Sequence, residues 1–322
     1  MAQPMSKSQN KRELVLGLLD KNEPCNYIPA GFFIHFDKEC HTGQAAIDRH
    51  LEFFRFTEMD FVKIQYEAGF PSHPEIRGPE DWSQMPVHGR EFYAEQLAVV
   101  EGLVKAVGQE AVVIQTLYSP FMLAGKAAGP ERLLEHFQTA PEQARKGMEI
   151  VTESLLVFVR ECIRLGVDGF YASTQGGEAH RLGNSETFHE CVKPYDQAIQ
   201  NEINESCVFN VLHICDYHAS YDELTHFLDY PGHVVNCSLE VGSKRLTPGD
   251  VSAMFDRPFM GGMDRHGIIA KGNEEQIRAE VRKQLSEASD RHILAADCTL
   301  PGDVNWENIR TAIRTAHEFE GN

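Results

Sequence analysis

The chain has 322 residues, of which 42% are apolar, a fraction that is ordinary for a globular protein with a buried core. Its formal net charge of −18 argues against nucleic acids and anionic membrane surfaces as partners. No run of about 18 apolar residues occurs in the sequence, so we expect no membrane-spanning helix.

Apolar runs alternate along the chain with stretches in which apolar residues have helical spacing. The predicted strands are residues 27–34, 60–66, 111–116, 167–172, 207–214, 233–236, 259–263 and 292–296. The predicted helices are residues 12–19, 42–58, 92–107, 119–124, 131–136, 141–165, 186–202, 221–228, 247–255, 274–288 and 306–317. Strands that alternate with helices imply a parallel sheet. A doubly wound open sheet has the same alternation, and the count of eight strands favours a (β/α)₈ TIM barrel.

The composition does not change along the chain in a way that would mark a linker. We expect residues 1–8 to be a disordered leader and residues 9–322 to form a single TIM-barrel catalytic domain. Residues 69–88 are rich in proline and glycine and predict a long loop over the mouth of the barrel, a kind of loop that often carries function. Eight scattered cysteines and a polar N-terminus without an apolar signal region indicate a reducing, cytoplasmic location.

Chemically distinctive residues lie at the ends of two predicted strands. His213 and Cys215 end the fifth strand, and Cys298 follows the eighth. The carboxyl ends of all strands meet at one mouth of a barrel, so these side chains can converge although they are far apart in sequence. Histidine nitrogen and cysteine sulfur are the usual ligands of zinc, and three protein ligands with one open position form a catalytic zinc site. The alternative is a hydrogen-bonded histidine with two small buried cysteines.

Other residues at the predicted mouth have two interpretations each. Glu67, after the second strand, is a candidate fourth zinc ligand or general base, or else a structural carboxylate that pairs with Arg265. Cys237 is a candidate zinc ligand or a buried strand-end cysteine. Candidates to line the substrate pocket are Gln115, Tyr118, Gln175 and Asp264. Candidates to orient the ligating imidazole are Asp216, His218, Asp264 and His266, and each of these is also compatible with an ordinary loop residue.

Four segments resemble the uroporphyrinogen decarboxylase superfamily. Residues 296–310 (ADCTLPGDVNWENIR) resemble the closing strand, Pro-Gly turn and final helix of that family. Residues 168–170 (DGF) with 188–195 (FHECVKPY) resemble its fourth strand and following helix, and residues 261–264 (GGMD) resemble the end of its seventh strand. The similarity extends from about residue 12 to residue 317 and implies an enzyme with the TIM-barrel fold.

The superfamily includes decarboxylases that use no metal. They hold the carboxylates of a porphyrinogen with an arginine-rich N-terminal segment and its pyrroles with an aspartate after the second strand. The corresponding residues 28–36 of this chain contain no arginine, and Glu67 stands at the position of the aspartate. Since guanidinium groups recognise carboxylates by paired hydrogen bonds, this sequence argues against porphyrinogen decarboxylation.

A second branch of the superfamily comprises zinc-dependent methyltransferases that act with corrinoid proteins, such as those that methylate coenzyme M. They carry His-x-Cys after the fifth strand and a cysteine after the eighth, which His213, Cys215 and Cys298 match. Cobalamin-independent methionine synthase has a related site with a glutamate at the end of the intervening strand, where this chain has Cys237 and Glu240.

The resemblance to the methyltransferase branch implies Zn²⁺ as cofactor, a corrinoid carried by a partner protein, a small thiol or methylated compound as substrate, and a homodimer as assembly. We expect a methyltransferase. A metal-independent decarboxylase and a non-catalytic corrinoid-binding barrel are the alternatives.

Overall fold

A curled parallel sheet forms the centre of the protein in a computed structural model, which describes residues 10–22, 25–67, 69–178 and 180–319. The strands are β1 (Phe61–Ile64), β2 (Val112–Tyr118), β3 (Gly169–Thr174), β4 (Val211–Ile214), β5 (Val234–Cys237), β6 (Glu240–Val241), β7 (Lys244–Arg245), β8 (Phe259–Met263) and β9 (His292–Ala296). Seven of them pair in parallel in the order β1-β2-β3-β4-β5-β8-β9, whereas β6 and β7 form a separate antiparallel hairpin. The predicted leader, residues 1–8, lies outside the described residues.

The first predicted strand, residues 27–34, is not a regular strand. It makes isolated parallel bridges from Ala30 to Leu294 of β9 and from Ile34 to Leu300. The Ala30 carbonyl accepts a hydrogen bond from the backbone N–H of Asp60, but the Ala30 N–H donates to the Asp60 carboxylate instead of to a strand. This segment therefore lies between β9 and the entry to β1 and closes the sheet into a TIM-barrel-like fold, as the sequence predicts.

Helices cover the outside of the sheet. They are α1 (Lys11–Gly17), α2 (Gly43–Thr57), α3 (Ala94–Val107), α4 (Pro120–Ala128), α5 (Pro130–Thr139), α6 (Pro141–Leu165), α7 (Ser185–Cys191), α8 (Lys193–Ser206), α9 (Pro248–Phe255), α10 (Ile268–Lys271), α11 (Glu274–Ser286) and α12 (Trp306–His317). Short 3₁₀ turns occur at Lys38–Cys40, Pro79–Gln84, Arg90–Tyr93 and Thr225–Phe227. No helix in the described part of the chain is both long and apolar enough to cross a membrane.

Two helix predictions are wrong in detail. The predicted helix 186–202 is divided between α7 and α8 at Val192, because Pro194 lies in the first turn of α8, where its missing N–H is tolerated. The predicted helix 221–228 contains only the turn Thr225–Phe227. Its first residue, Tyr221, accepts a hydrogen bond from Gly242 with its backbone carbonyl, so a tertiary contact replaces the helical bond.

Side chains alternate between the two faces of each strand, and this alternation decides which residues reach the mouth of the barrel. In β2, Val112 and Ile114 pack in the apolar cluster inside the barrel, whereas Val113 and Leu117 pack between the sheet and the helices. Val15, in α1, belongs to the inner cluster and covers one end of it. Side chains near the carboxyl ends of the strands are thereby presented at the other end of the barrel.

Candidate metal centre

His213, Cys215 and Cys298 meet at the carboxyl ends of β4 and β9. Their candidate ligand atoms all lie within 4.8 Å of one another, and Cys298 Sγ is 3.5 Å from His213 Nε2. His213 and Cys215 are buried, and Cys298 is partly buried. One nitrogen and two sulfurs are a donor set that suits zinc, and zinc bonds of about 2.0–2.3 Å require only small side-chain adjustments here. Among the described residues, this is the group of histidine, cysteine and carboxylate side chains that could hold a metal ion.

Asn236 in β5 fixes the orientation of the His213 imidazole. Its amide nitrogen donates to the backbone carbonyls of Met260 at 2.6 Å and of Ala296 at 3.0 Å, so its amide oxygen is the atom that faces the imidazole. This oxygen lies 2.5 Å from His213 Nδ1, which must therefore carry the proton and donate it. The lone pair of the neutral ring is consequently on Nε2, the nitrogen that faces the cysteines.

Tyr171 in β3 completes the support of the imidazole. Its hydroxyl donates to the Asn236 amide oxygen at 2.6 Å, and its ring stacks on the His213 ring with centroids 4.7 Å apart. The sequence analysis missed both Tyr171 and Asn236. The sequence does hold a signal for Asn236, because it is the polar residue directly before a predicted strand-end cysteine. In the structure it is in register with His213.

The residues predicted to orient the imidazole do not do so. Asp216 binds Arg265, and the Asp264 carboxylate accepts a hydrogen bond from the backbone of His266 at 2.8 Å. His218 is exposed and lines a cleft beside the site. These predictions are wrong because the strand residue Asn236 already occupies the position beside His213 Nδ1.

A hydrogen bond between the two cysteine side chains shifts their pKa values in opposite directions. It lowers the pKa of the Cys298 thiol against the opposing effect of burial, with further lowering by His213 and Arg265. The same hydrogen bond, together with burial, raises the pKa of Cys215. The Gln175 side chain donates to Cys215 Sγ at 3.3 Å. The pair thus favours one thiolate and one thiol, and a bound divalent metal would displace the remaining proton.

Arg265, in the loop after β8, joins the residues next to the two cysteines. Its Nη1 donates to Asp216 Oδ1 at 2.8 Å and to Asp297 Oδ2 at 2.7 Å. The predicted alternative of a Glu67–Arg265 ion pair is therefore wrong. Glu67 instead accepts from His35 Nδ1 at 3.0 Å. Burial raises the pKa of Glu67, but the hydrogen bond and charge of His35 outweigh burial and hold it below its ordinary value.

A model of the uroporphyrinogen decarboxylase family matches residues 59–319 of the chain. The chain belongs to this family. Over 271 residues it is 22% identical to a methylated-thiol–coenzyme M methyltransferase from Methanosarcina mazei, a match that covers 81% of this chain and 70% of that protein. The resemblance inferred from the sequence is confirmed.

Solved structures show the same fold. A methyltransferase from Methanosarcina mazei superposes with a TM-score of 0.78 at 15% identity, covering 97% of this chain and 99% of that structure. A putative vitamin-B12 independent methionine synthase from Listeria monocytogenes superposes with a TM-score of 0.56 at 14% identity, covering 93% and 99%. At these identities the similarity establishes the fold of this uroporphyrinogen decarboxylase family member.

A cleft of about 620 Å³ opens beside the candidate metal centre of this family member. Gln175, which contacts Cys215, forms part of its wall, and Tyr217 and His218 lie along it. Ser72 and Pro74, from the loop predicted over the mouth, line it too. Gln175 is therefore the residue that connects the cleft with the cysteines.

The residues predicted to line the substrate pocket lie in different parts of the structure. Gln175 is at the cleft, and the pKa of the Tyr118 hydroxyl is raised by burial and by the charges of Glu67, Cys215 and Cys298, which places Tyr118 near the centre. Asp264 is exposed and lines a different cavity of about 250 Å³.

The prediction that Gln115 lines the pocket is wrong. Its side chain is fully buried between the sheet and α3, where it accepts from Gln96 at 3.3 Å, because the next residue, Thr116, occupies the inward-facing position.

Cys237 lies outside the metal-binding group. It follows Asn236, whose side chain points into the barrel, so the alternation of the strand directs Cys237 to the opposite face. There it is 1% exposed and belongs to the apolar layer between sheet and helices. The structure therefore agrees with the alternative interpretation of Cys237 as a buried strand-end cysteine and not with a role as fourth ligand. Glu240, three residues further along the chain, pairs with Arg245.

Lys63 in β1 is a buried cation that the sequence analysis missed. Its ammonium donates to Gln65 at 2.9 Å and to Thr116 at 3.0 Å, and it lies 4.7 Å from the centroid of the Phe33 ring and 4.9 Å from that of Tyr171. Burial lowers its pKa to about 7, against the opposing influence of the Cys298 and Glu67 charges. Nothing in the sequence signals this burial, because lysine is almost never fully buried, whereas all four residues of β1 are buried in the structure.

Proposed function

We propose that the protein is a zinc-dependent methyltransferase that moves a methyl group between a corrinoid protein and a thiol or similar acceptor. The observation that carries the proposal is the convergence of one nitrogen and two sulfurs within 4.8 Å, with the imidazole held so that Nε2 bears the lone pair. Membership of the family and the similarity to a methylated-thiol–coenzyme M methyltransferase support it.

His213, Cys215 and Cys298 would hold the metal and leave one position open towards the cleft. Zinc, when bound, lowers the pKa of a coordinating thiol, so that the substrate reacts as a thiolate near neutral pH. Asn236 keeps the proton on Nδ1 and thereby keeps Nε2 available as a ligand. The hydrogen bond from Gln175 offsets part of the negative charge on the Cys215 sulfur.

The methyl carrier would enter through the cleft that Gln175 borders. In the direction of thiol methylation, the thiolate sulfur forms a bond to the methyl carbon, and the bond between that carbon and the cobalt of the corrinoid breaks with its electron pair left on cobalt. The mouth of the barrel would fix the line of approach, which is the contribution of proximity. We propose Glu67, which pairs with His35 and lies near Tyr118, as a candidate general base for a substrate proton.

Metal analysis tests the proposal. Protein purified without chelators should carry close to one zinc per chain, and His213→Ala or Cys298→Ser should lose most of it, because each removes one of three ligands. Cys237→Ser is the matched control, since it alters a buried cysteine outside the group and should retain the metal. Wild-type protein without zinc, or equal loss in Cys237→Ser, would contradict the proposed function.

A further inference from the structure

Arg265 connects the two loops that carry the cysteines. Asp216 directly follows Cys215, and Asp297 directly precedes Cys298. A single guanidinium nitrogen of Arg265 binds one carboxylate oxygen of each aspartate, at 2.8 and 2.7 Å. The three side chains are 13%, 15% and 14% exposed, so this ion triad is largely removed from solvent.

The Arg265 guanidinium holds together two carboxylates that would repel one another without its positive charge. Both carboxylates approach the same nitrogen, so they lie close to each other and beside the cysteine sulfurs. Removal of the cation would leave two like charges in a poorly solvated place, which is strongly unfavourable. The loops after β4 and β9 would relieve this repulsion by separating, and each loop would carry its cysteine along.

The two aspartates depend on Arg265 to different degrees. Asp297 also accepts a hydrogen bond from the backbone N–H of Arg265 at 2.8 Å, which a side-chain substitution leaves in place. Asp216 has the guanidinium as its ion-pair partner. Loss of the Arg265 side chain should therefore displace the loop after β4 more than the loop after β9.

We propose that Arg265 is a positioning residue for the metal centre, which sets the separation of the Cys215 and Cys298 sulfurs by clamping the neighbouring aspartates. This inference rests on the proposed zinc site. Its role is geometric: the guanidinium reaches two carboxylates from one fixed plane, whereas a lysine ammonium is a point charge on a flexible stem. Charge alone should therefore not replace it.

The test is titration of the metal-free full-length protein with cobalt(II), followed by the sulfur-to-cobalt charge-transfer absorption, and competition with zinc. Arg265→Met should bind both metals about 10–100-fold more weakly than wild type, the range for loss of an outer-shell partner. Arg265→Lys should recover part of the affinity, and its cobalt spectrum should still differ from that of wild type. Arg245→Met is the control, because Arg245 lines the same cavity of about 250 Å³ but pairs with Glu240.

A double variant separates positioning from stability. Arg265→Met with Asp216→Asn removes the repulsion and should restore the melting temperature, but metal affinity should stay low because the clamp is still absent. Restored affinity in the double variant, or wild-type affinity in Arg265→Met, would overturn the inference and leave the zinc site standing. If wild-type protein binds neither metal, the proposed function fails, and the role of Arg265 fails with it. Arg265→Lys decides the question should the methionine variant not fold.

Discussion

Replacement of Asn236 by alanine should show how much the support of the His213 imidazole contributes to stability and to zinc binding, because the three candidate ligands stay in place. Asn236 is fully buried, and its side chain makes hydrogen bonds to His213, Tyr171, Met260 and Ala296. The substitution leaves these groups without a partner, each at a cost of about 1–3 kcal/mol. Water that enters the space compensates for part of this, so we expect the free energy of unfolding to fall by about 3–5 kcal/mol.

The more informative consequence concerns zinc. Without the amide oxygen, His213 is free to place its proton on Nε2, the nitrogen that faces Cys298, or to rotate. Zinc affinity should then fall about 10–100-fold, as is typical when an outer-shell partner of a ligating histidine is removed. Competition with a chromophoric chelator measures the affinity, and denaturant unfolding measures the stability.

Asn210 provides a matched control for this experiment. It is 1% exposed, accepts from the backbone N–H of Phe170 at 2.9 Å and donates to the Ile203 carbonyl at 2.9 Å. It lies just before β4, at the end of that strand opposite to the metal centre. Asn210→Ala should destabilise the protein while leaving zinc affinity unchanged. Zinc binding of Asn236→Ala at wild-type strength would refute the assignment of Asn236 as the residue that sets the tautomer.

Three further predictions concern charge and reaction type. Because the pKa of Lys63 is lowered from 10.5 to about 7, the unfolded chain binds more protons between these values, so the free energy of unfolding should rise there by up to about 1.4 kcal/mol per pH unit. Lys63→Met should remove this slope, and equal slopes of both proteins in denaturant unfolding at pH 7 to 9 would contradict the assignment. Addition of coenzyme M or homocysteine to zinc-loaded protein should release about one proton per site, and Cys215→Ser should abolish this release. Calorimetry in buffers of different ionisation enthalpy measures the released protons. A thiol that binds without buffer dependence would show that its sulfur does not reach the metal. Uroporphyrinogen should not be decarboxylated, because residues 28–36 contain no arginine; coproporphyrinogen formed at an enzyme-like rate, followed by chromatography, would restore the decarboxylase interpretation.

The convergence of His213, Cys215 and Cys298 could be predicted because it depends on few facts: where two strands end, and that strand ends meet in a barrel. It is harder to predict which of two neighbouring strand residues points into the barrel. Gln115 and Thr116 are neighbours, and a shift of one residue decides which of them faces the barrel interior. For the same reason the inward orientation of Asn236 was not predicted, although its position at a strand end was visible in the sequence.

Pairings between loops lay beyond the reach of sequence reasoning. Arg265 binds Asp216 and Asp297, and Glu67 binds His35, although only Glu67, Arg265 and Asp216 were already placed near the mouth. Which charges pair depends on loop conformations that no periodic pattern encodes. Lys63 was missed for another reason, because a lysine in a short strand is ordinarily at an exposed position, and its burial follows from the closure of the whole barrel.

The bridges that close the sheet have a consequence for synthesis of the chain on the ribosome. Ala30 bridges to Leu294 and Ile34 to Leu300, so the ring cannot be completed until residues 294–300 have emerged. Until then the outer edge of residues 27–34, at the end of the growing sheet, is unpaired, a feature that invites association with other nascent chains. This segment is not a regular strand, and Pro29 removes one backbone donor from it, so its edge is a poor template for aggregation. Irregular pairing in the finished barrel thus protects the unfinished one.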